Sequence, residues 1–145
     1  MKDLPRIAAH IMTKEVVTVE ETDSLEFLEE SMRLLRFRHL PVVDGNRLIG
    51  MVSQRDLLSI SASSLLPAAR QQSQLLTRKF IVRDIMTRNV VTVGPETPLI
   101  EVATLLRQKK LGCLPVVKGE NTFLGIITEA DFVALAATLL KALTH

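Results

Sequence analysis

The chain repeats itself, and the repeat constrains its fold more than any other feature. Ile11-Met12-Thr13-Lys14-Glu15-Val16-Val17-Thr18-Val19 returns 74 residues later as Ile85-Met86-Thr87-Arg88-Asn89-Val90-Val91-Thr92-Val93, with seven of nine positions identical. Leu40-Pro41-Val42-Val43 returns unchanged, at the same spacing, as Leu114-Pro115-Val116-Val117. Gly50-Met51-Val52-Ser53-Gln54-Arg55-Asp56 returns as Gly125-Ile126-Ile127-Thr128-Glu129-Ala130-Asp131, now 75 residues on, so one residue has been added in the turn between. Three matched blocks in one order imply one folding unit written twice.

The elements of that unit are readable. Val16 to Val19 and Val90 to Val93 are β-branched runs and predict short strands. Asp23-Ser24-Leu25-Glu26 opens a helix with its own capping box, and Leu25, Leu28, Met32 and Leu35 form an apolar stripe. The counterpart helix opens with Thr97-Pro98, with a stripe of Leu99, Val102, Ala103 and Leu106. His39 to Val43, a turn at Asp44-Gly45-Asn46, and Leu48 to Val52 read as a hairpin. Cys113 to Val117, a turn around Gly119, and Phe123 to Ile127 repeat it. Helices starting near Gln54 and Glu129 close the two units. The order is β-α-β-β-α twice, an α/β (α+β-like) class. The first repeat spans 7–64, a connector with basic and glutamine residues spans 65–80, and the second repeat spans 81–143. The last helix carries more apolar surface than one face requires, and extra core is preferred to a subunit interface.

Composition excludes several classes. A net charge of +2, with five Phe and no Tyr or Trp, gives no basic, stacking-rich surface for nucleic acid. Phe132 to Leu140, the longest apolar run, falls short of the ~18 residues of a membrane span, so no membrane partner is expected. The single cysteine, Cys113, excludes an internal disulfide and suits a reducing cytoplasm. His10, His39 and His145 lack ligand spacing, and no metal is expected.

The glycine-led block carries the chemistry. Two apolar residues after a glycine end a buried strand, and Ser or Thr three residues before Asp starts a helix. Helix-start amides and a hydroxyl favour a phosphate, and the Asp accepts hydrogen bonds from a sugar diol. The same Ser/Thr-x-x-Asp pattern is also a plain capping box, and both readings stand at this point. Each block offers one Asp and one hydroxyl without a paired base, so catalysis is not expected.

These blocks, as a set, resemble the tandem cystathionine β-synthase-type (CBS) domain pair. The resemblance runs from Ile7 to about Leu140. It implies two repeats packed sheet to sheet about a pseudo-twofold axis, with clefts between them that take adenosine ligands: AMP, ADP, ATP, S-adenosylmethionine or NAD. By that resemblance Ser53 and Thr128 touch phosphate or ribose, and Asp56 and Asp131 take the ribose diol. Thr13, Val16 and Val17, with Thr87, Val90 and Val91, flank the adenine beside Pro41 and Pro115. Arg38 and His39, with Arg55 in the same turn as Asp56, line the phosphate edge. Arg36, Phe37, Arg38 and His39 stand where the second repeat has Lys110, Leu111, Gly112 and Cys113, so a guanidinium and an imidazole lack a counterpart. The two clefts are therefore expected to differ, on a side the sequence leaves open. The alternative is that Arg36 and Arg38 are a solvated helix end favoured by its dipole.

The function so implied is regulatory and non-enzymatic: a cytoplasmic, energy-sensing module that binds an adenine nucleotide, forms a homodimer and signals to an unnamed partner protein. No catalytic cofactor is expected. The alternative is a ligand-free module for dimerisation and protein interaction, in which both turns are caps alone.

Overall fold

The structure is a computed structural model that describes residues 4–35, 37–60 and 80–144. Arg36, most of the expected connector and the serine-rich end of the first repeat lie outside the described residues. The chain forms α1 (Ala8–Ile11), α2 (Leu25–Leu35), β1 (His39–Asp44), β2 (Arg47–Ser53), α3 (Gln54–Ile60) and a short 3-10 turn (Val82–Asp84). There follow α4 (Leu99–Gln108), β3 (Cys113–Lys118), β4 (Thr122–Thr128) and α5 (Glu129–Leu143).

Two compact units result, and neither contains the lead-in of its own repeat. Val17–Val90 forms the unit of the first hairpin; Met1–Val16 with Val91–His145 forms that of the second. The lead-in of each repeat is thus built into the other repeat's hairpin unit. In the second-hairpin unit, the Ala8 and Ala9 amides donate to the Thr97 and Pro95 carbonyls at 2.9 and 2.8 Å, and Leu99 N–H donates to Arg6 O at 2.9 Å. The first-hairpin unit repeats these bonds residue for residue: Val82 to Asp23 at 2.8 Å, Arg83 to Glu21 at 2.9 Å and Leu25 to Phe80 at 3.3 Å. His10 Nδ1 accepts the Arg6 amide at 3.0 Å, and its counterpart Asp84 accepts the Ile81 amide at 2.9 Å. His10 is therefore a turn cap.

Each hairpin is antiparallel, with His39 opposite Ser53 and Cys113 opposite Thr128. Two residues, Gly45 and Asn46, connect β1 to β2, whereas Gly119, Glu120 and Asn121 connect β3 to β4. The extra residue, Asn121, sits at φ +65°. Asparagine tolerates that left-handed conformation, and it accounts for the change of spacing from 74 to 75. A register irregularity follows Val42 in one hairpin and Val116 in the other.

The expected valine strands reduce to single parallel bridges, Val19 with Val42 and Val93 with Val116. On the far side of each hairpin the other repeat's lead-in adds an antiparallel bridge, Met51 with Thr87 and Ile126 with Thr13. Proline lacks the N–H that an interior strand pairs with, so Pro41 and Pro115 point in the sequence to a place where pairing stops. Instead both are fully buried and pair in register with Met51 and Ile126. The Pro41 carbonyl accepts from Val19 N–H at 3.0 Å, so the missing N–H also faces Val19. There the bridge is one residue long and no ladder bond is lost.

Each unit has its own core. Leu25, Leu28, Met32, Leu40, Val42, Val52 and Val82 fill the first; Ala8, Val102, Leu106, Leu114, Val116 and Ile127 fill the second. Burial of these side chains at ~1.5–3 kcal/mol each is the main favourable term. The stripes hold except at one end: Leu35, expected in the core, is 47% exposed. The extra-core expectation for α5 also fails. It buries no residue fully, and Val133, Leu140 and Leu143 are 69%, 60% and 80% exposed. Only Phe132 of this helix packs on the second core. No helix among the described residues is long and apolar enough to cross a membrane.

Candidate functional site

Strand passes to helix without a linking residue at Ser53–Gln54 and again at Thr128–Glu129. The Asp56 carboxylate folds back on its own turn: Oδ2 accepts from the Ser53 amide at 2.8 Å and from the Ser53 hydroxyl at 2.9 Å. The Asp56 amide donates to Ser53 Oγ at 3.2 Å. Asp131 does the same, with Oδ2 2.8 Å from the Thr128 amide and 3.2 Å from its hydroxyl, and with its own amide 3.4 Å from Thr128 Oγ1. Both turns are reciprocal capping boxes. The capping reading is therefore correct as far as it goes, and it uses one carboxylate oxygen of each Asp.

The second oxygens differ. Thr13, carried to β4 by its backbone bridge to Ile126, donates its hydroxyl to Asp131 Oδ1 at 3.4 Å. Thr87 makes the equivalent bridge to Met51, yet Asp56 Oδ1 has no hydrogen-bond partner among the described residues. The helix-start amides are largely engaged: Gln54 N–H donates to Arg38 O at 2.8 Å, and Glu129 N–H to Gly112 O at 3.3 Å. Any phosphate at the first turn is consequently held by side chains more than by the helix end.

Close approach of the lead-ins explains the glycines. A Cβ on Gly50 would lie 2.9 Å from Thr87 O and 3.0 Å from Met86 Sδ; one on Gly125 would lie 2.6 Å from Thr13 O and 3.3 Å from Met12 Sδ. Any side chain here would push Thr13 or Thr87 off the strand, and with it the group beside the carboxylate. Met12 and Met86 line this crossing. Sequence reasoning did not single them out, although they sit inside the repeated Ile-Met-Thr.

The facing strand positions set the electrostatics. His39, opposite Ser53, is half-buried; burial lowers its pKa, the Asp56 carboxylate raises it and Arg38 lowers it. Cys113, opposite Thr128, is buried, and burial pushes its thiol up to about 11. A thiol held so far from its thiolate is a small core residue, not a nucleophile.

The expected site residues divide between the units. Val17, Arg38, His39, Pro41, Ser53, Arg55, Asp56, Thr87 and Val90 fall in the first-hairpin unit. Thr13, Val16, Val91, Pro115, Thr128 and Asp131 fall in the second. Arg38 and Arg55 are exposed, Val16 and Val90 half-buried, Val17 37% exposed, and Val91 packs against the second core. Among the described residues no three His, Cys, Asp or Glu side chains are placed to hold a metal ion.

Each hairpin lies between two helices and ends in a self-capped Ser/Thr–Asp turn at the strand-to-helix junction, so the chain is a tandem α-β-β-α repeat. The CBS domain pattern matches residues 8–63 and again 82–137, and the chain belongs to the CBS domain family. Among solved structures it is similar to a Vibrio cholerae protein named for acetoin utilization (AcuB), at 36% identity and TM-score 0.77, covering 93% of each chain. It is also similar to the CBS-pair protein CBSX2 from Arabidopsis thaliana, at 28% identity and TM-score 0.82, covering 93% of this chain and 96% of that one. A structure of CBSX2 in complex with AMP matches at 26% identity and TM-score 0.78, covering 93% and 98%. Inosine-5'-monophosphate dehydrogenase from Korarchaeum cryptofilum is 32% identical over 124 residues. That match takes in 86% of this chain but only 23% of the dehydrogenase.

Proposed function

We propose that this protein is a regulatory module that binds an adenine nucleotide at its strand-to-helix turns and reports occupancy to a partner protein. The observation that carries the reading is the half-used carboxylate of Asp56. Its cap holds one oxygen and fixes the group in place, and the other oxygen remains for a donor pair such as a ribose diol. Arg55 precedes Asp56 in the chain, and Arg38, whose carbonyl accepts the Gln54 amide at 2.8 Å, precedes the facing strand. Both are exposed, and in this reading they serve the phosphate, which a guanidinium matches with its planar fork. The AMP complex of CBSX2 supports an adenylate as the ligand class.

The adenine, in this reading, lies against the valines of the lead-ins, Val17 with Val90 and Val16 with Val91. A regulatory role fits the chemistry on offer. The Ser53 hydroxyl is occupied as donor and acceptor within its own turn, so it serves to shape the site rather than to attack a substrate. A ligand changes a partner equilibrium only through its differential affinity for two states, a coupling of ~1–3 kcal/mol in most systems. The partner is a protein that responds to adenylate levels in the cytoplasm.

Calorimetric titration with AMP, ADP, ATP, NAD and S-adenosylmethionine tests the reading. At least one should bind with micromolar to millimolar affinity and raise the melting temperature. The Asp56→Ala variant should lose that binding while remaining folded. No heat from any of the five would overturn the reading.

A homodimer is part of the proposal, supported by the apolar surface that α5 leaves exposed at Val133, Leu140 and Leu143. Light scattering should give twice the mass of the 16.1 kDa chain at micromolar concentration. A monomer would refute it. The second reading, dimerisation without a ligand, would be favoured by a dimer that shows no nucleotide binding.

A further inference from the structure

We propose that Met12 and Met86 are paired modification sites, and that oxidation of their thioethers to sulfoxides by a peroxide frees each lead-in from the hairpin it crosses. The inference does not rest on the adenine-nucleotide reading.

Both methionines occupy the same place in the fold. Their amides close the turns before the crossings, Met12 N–H donating to Ala8 O at 3.0 Å and Met86 N–H to Val82 O at 2.9 Å. The next residue of each lead-in makes the bridge, Thr13 with Ile126 and Thr87 with Met51. Each side chain thus stands between the two backbone anchors of its lead-in. Its sulfur also fills the space that a glycine leaves on the hairpin. A Cβ on Gly50 would meet Met86 Sδ at 3.0 Å, and one on Gly125 would meet Met12 Sδ at 3.3 Å. Met86 packs on the rim of the first core and Met12 on the rim of the second.

Access separates these two from the other methionines among the described residues. Met32 and Met51 are 5% and 9% exposed, whereas Met12 and Met86 are half-buried. A peroxide therefore reaches the sulfurs at the crossings before those of the interior. Cys113 competes little: it is buried, and a thiol pushed up to about 11 offers almost no thiolate.

In the step itself, the sulfur lone pair attacks one oxygen of hydrogen peroxide. The S–O bond forms as the O–O bond breaks, and the released hydroxide takes the proton of the transferred oxygen and leaves as water. Sulfur is oxidised and the peroxide reduced. The product replaces a flexible apolar side chain by a polar, bulkier one. The glycine face has no room for the added atom, and the core rim has no use for a polar one. The side chain turns to water, and Thr13 or Thr87 follows it off the strand.

The test treats the full chain with hydrogen peroxide and assigns each sulfoxide by peptide mass spectrometry. Met12 and Met86 should oxidise roughly tenfold faster than Met32 and Met51, or more. In the oxidised chain the Thr13, Ile126, Met51 and Thr87 amides should exchange hydrogen roughly tenfold faster, while those of Val52 and Ile127, within the hairpins, should change little. A Met12→Leu/Met86→Leu variant, which keeps the apolar bulk without the sulfur, should show no such response to peroxide. Equal oxidation of all four methionines would overturn the inference, as would oxidation of Met12 and Met86 with unchanged exchange at the bridges. A leucine variant loosened by peroxide as much as the wild type would overturn it too. The two measurements on the wild type decide the matter if that variant does not fold.

Discussion

Replacing Gly125 by alanine tests the close crossing on which the second turn is built. The added Cβ would stand 2.6 Å from the Thr13 carbonyl oxygen, against 3.4 Å for ordinary contact. The obstacle is backbone, so Thr13 must retreat by about 0.8 Å. That movement stretches both bonds of the bridge, Thr13 N–H to Ile126 O at 2.8 Å and Ile126 N–H to Thr13 O at 3.0 Å. Two weakened hydrogen bonds cost ~0.5–1.5 kcal/mol each, and overpacking adds ~1–3 kcal/mol. Reduced freedom of the unfolded chain returns ~0.4–1 kcal/mol. The expected loss is thus about 1–5.5 kcal/mol, centred near 3. Gly50→Ala should cost less, about 1–2 kcal/mol, because its contact at 2.9 Å needs a smaller shift and Met86 Sδ can move. Gly119→Ala is the control: it meets no atom within 4 Å, and its φ of +58° alone should cost ~1–2 kcal/mol. With no Tyr or Trp in the chain, urea unfolding is best followed by circular dichroism. If Gly125→Ala were no less stable than Gly119→Ala, the crossing could not be as tight as described.

Two further outcomes follow from the residues facing the turns. His39 holds its proton less readily than the ordinary 6.5, chiefly through burial, so the unfolded chain binds more protons as pH falls through that value. Stability attached to His39 is then fully present above pH 6.5 and lost below it; urea midpoints at high and low pH should fall more for the wild type than for His39→Gln, and equal falls would refute the assignment. Cys113, with its thiol at about 11, should react with a disulfide reagent near pH 8 far more slowly in the native chain than in urea; equal rates would show the thiol to be accessible.

Much of this protein was legible in the sequence because its signals are local. Helix stripes, the Gly45 and Gly119 turns and the Ser/Thr-x-x-Asp caps depend on residues within a few positions of one another. The capping reading and the ligand reading of those turns could not be separated there. A capping box occupies one carboxylate oxygen, and the tertiary fold decides what becomes of the other. Which hairpin each lead-in joins was equally hidden. Ile11-Met12-Thr13 and Ile85-Met86-Thr87 are nearly the same string, so neither string favours one partner. The choice is made by the tertiary fold, in which Thr13 bridges Ile126 and Thr87 bridges Met51. Pro41 shows the same limit: its sequence argued against a buried, paired strand, and the direction of its missing N–H made that position acceptable. The exposure of Leu35 and α5 likewise reflects where neighbours end, which periodicity does not encode. The repeat and its composition determined the elements, their order and the residues available for binding; the pairing of distant segments decided which of those residues meet, because nearly identical local sequences differ only in their long-range partners.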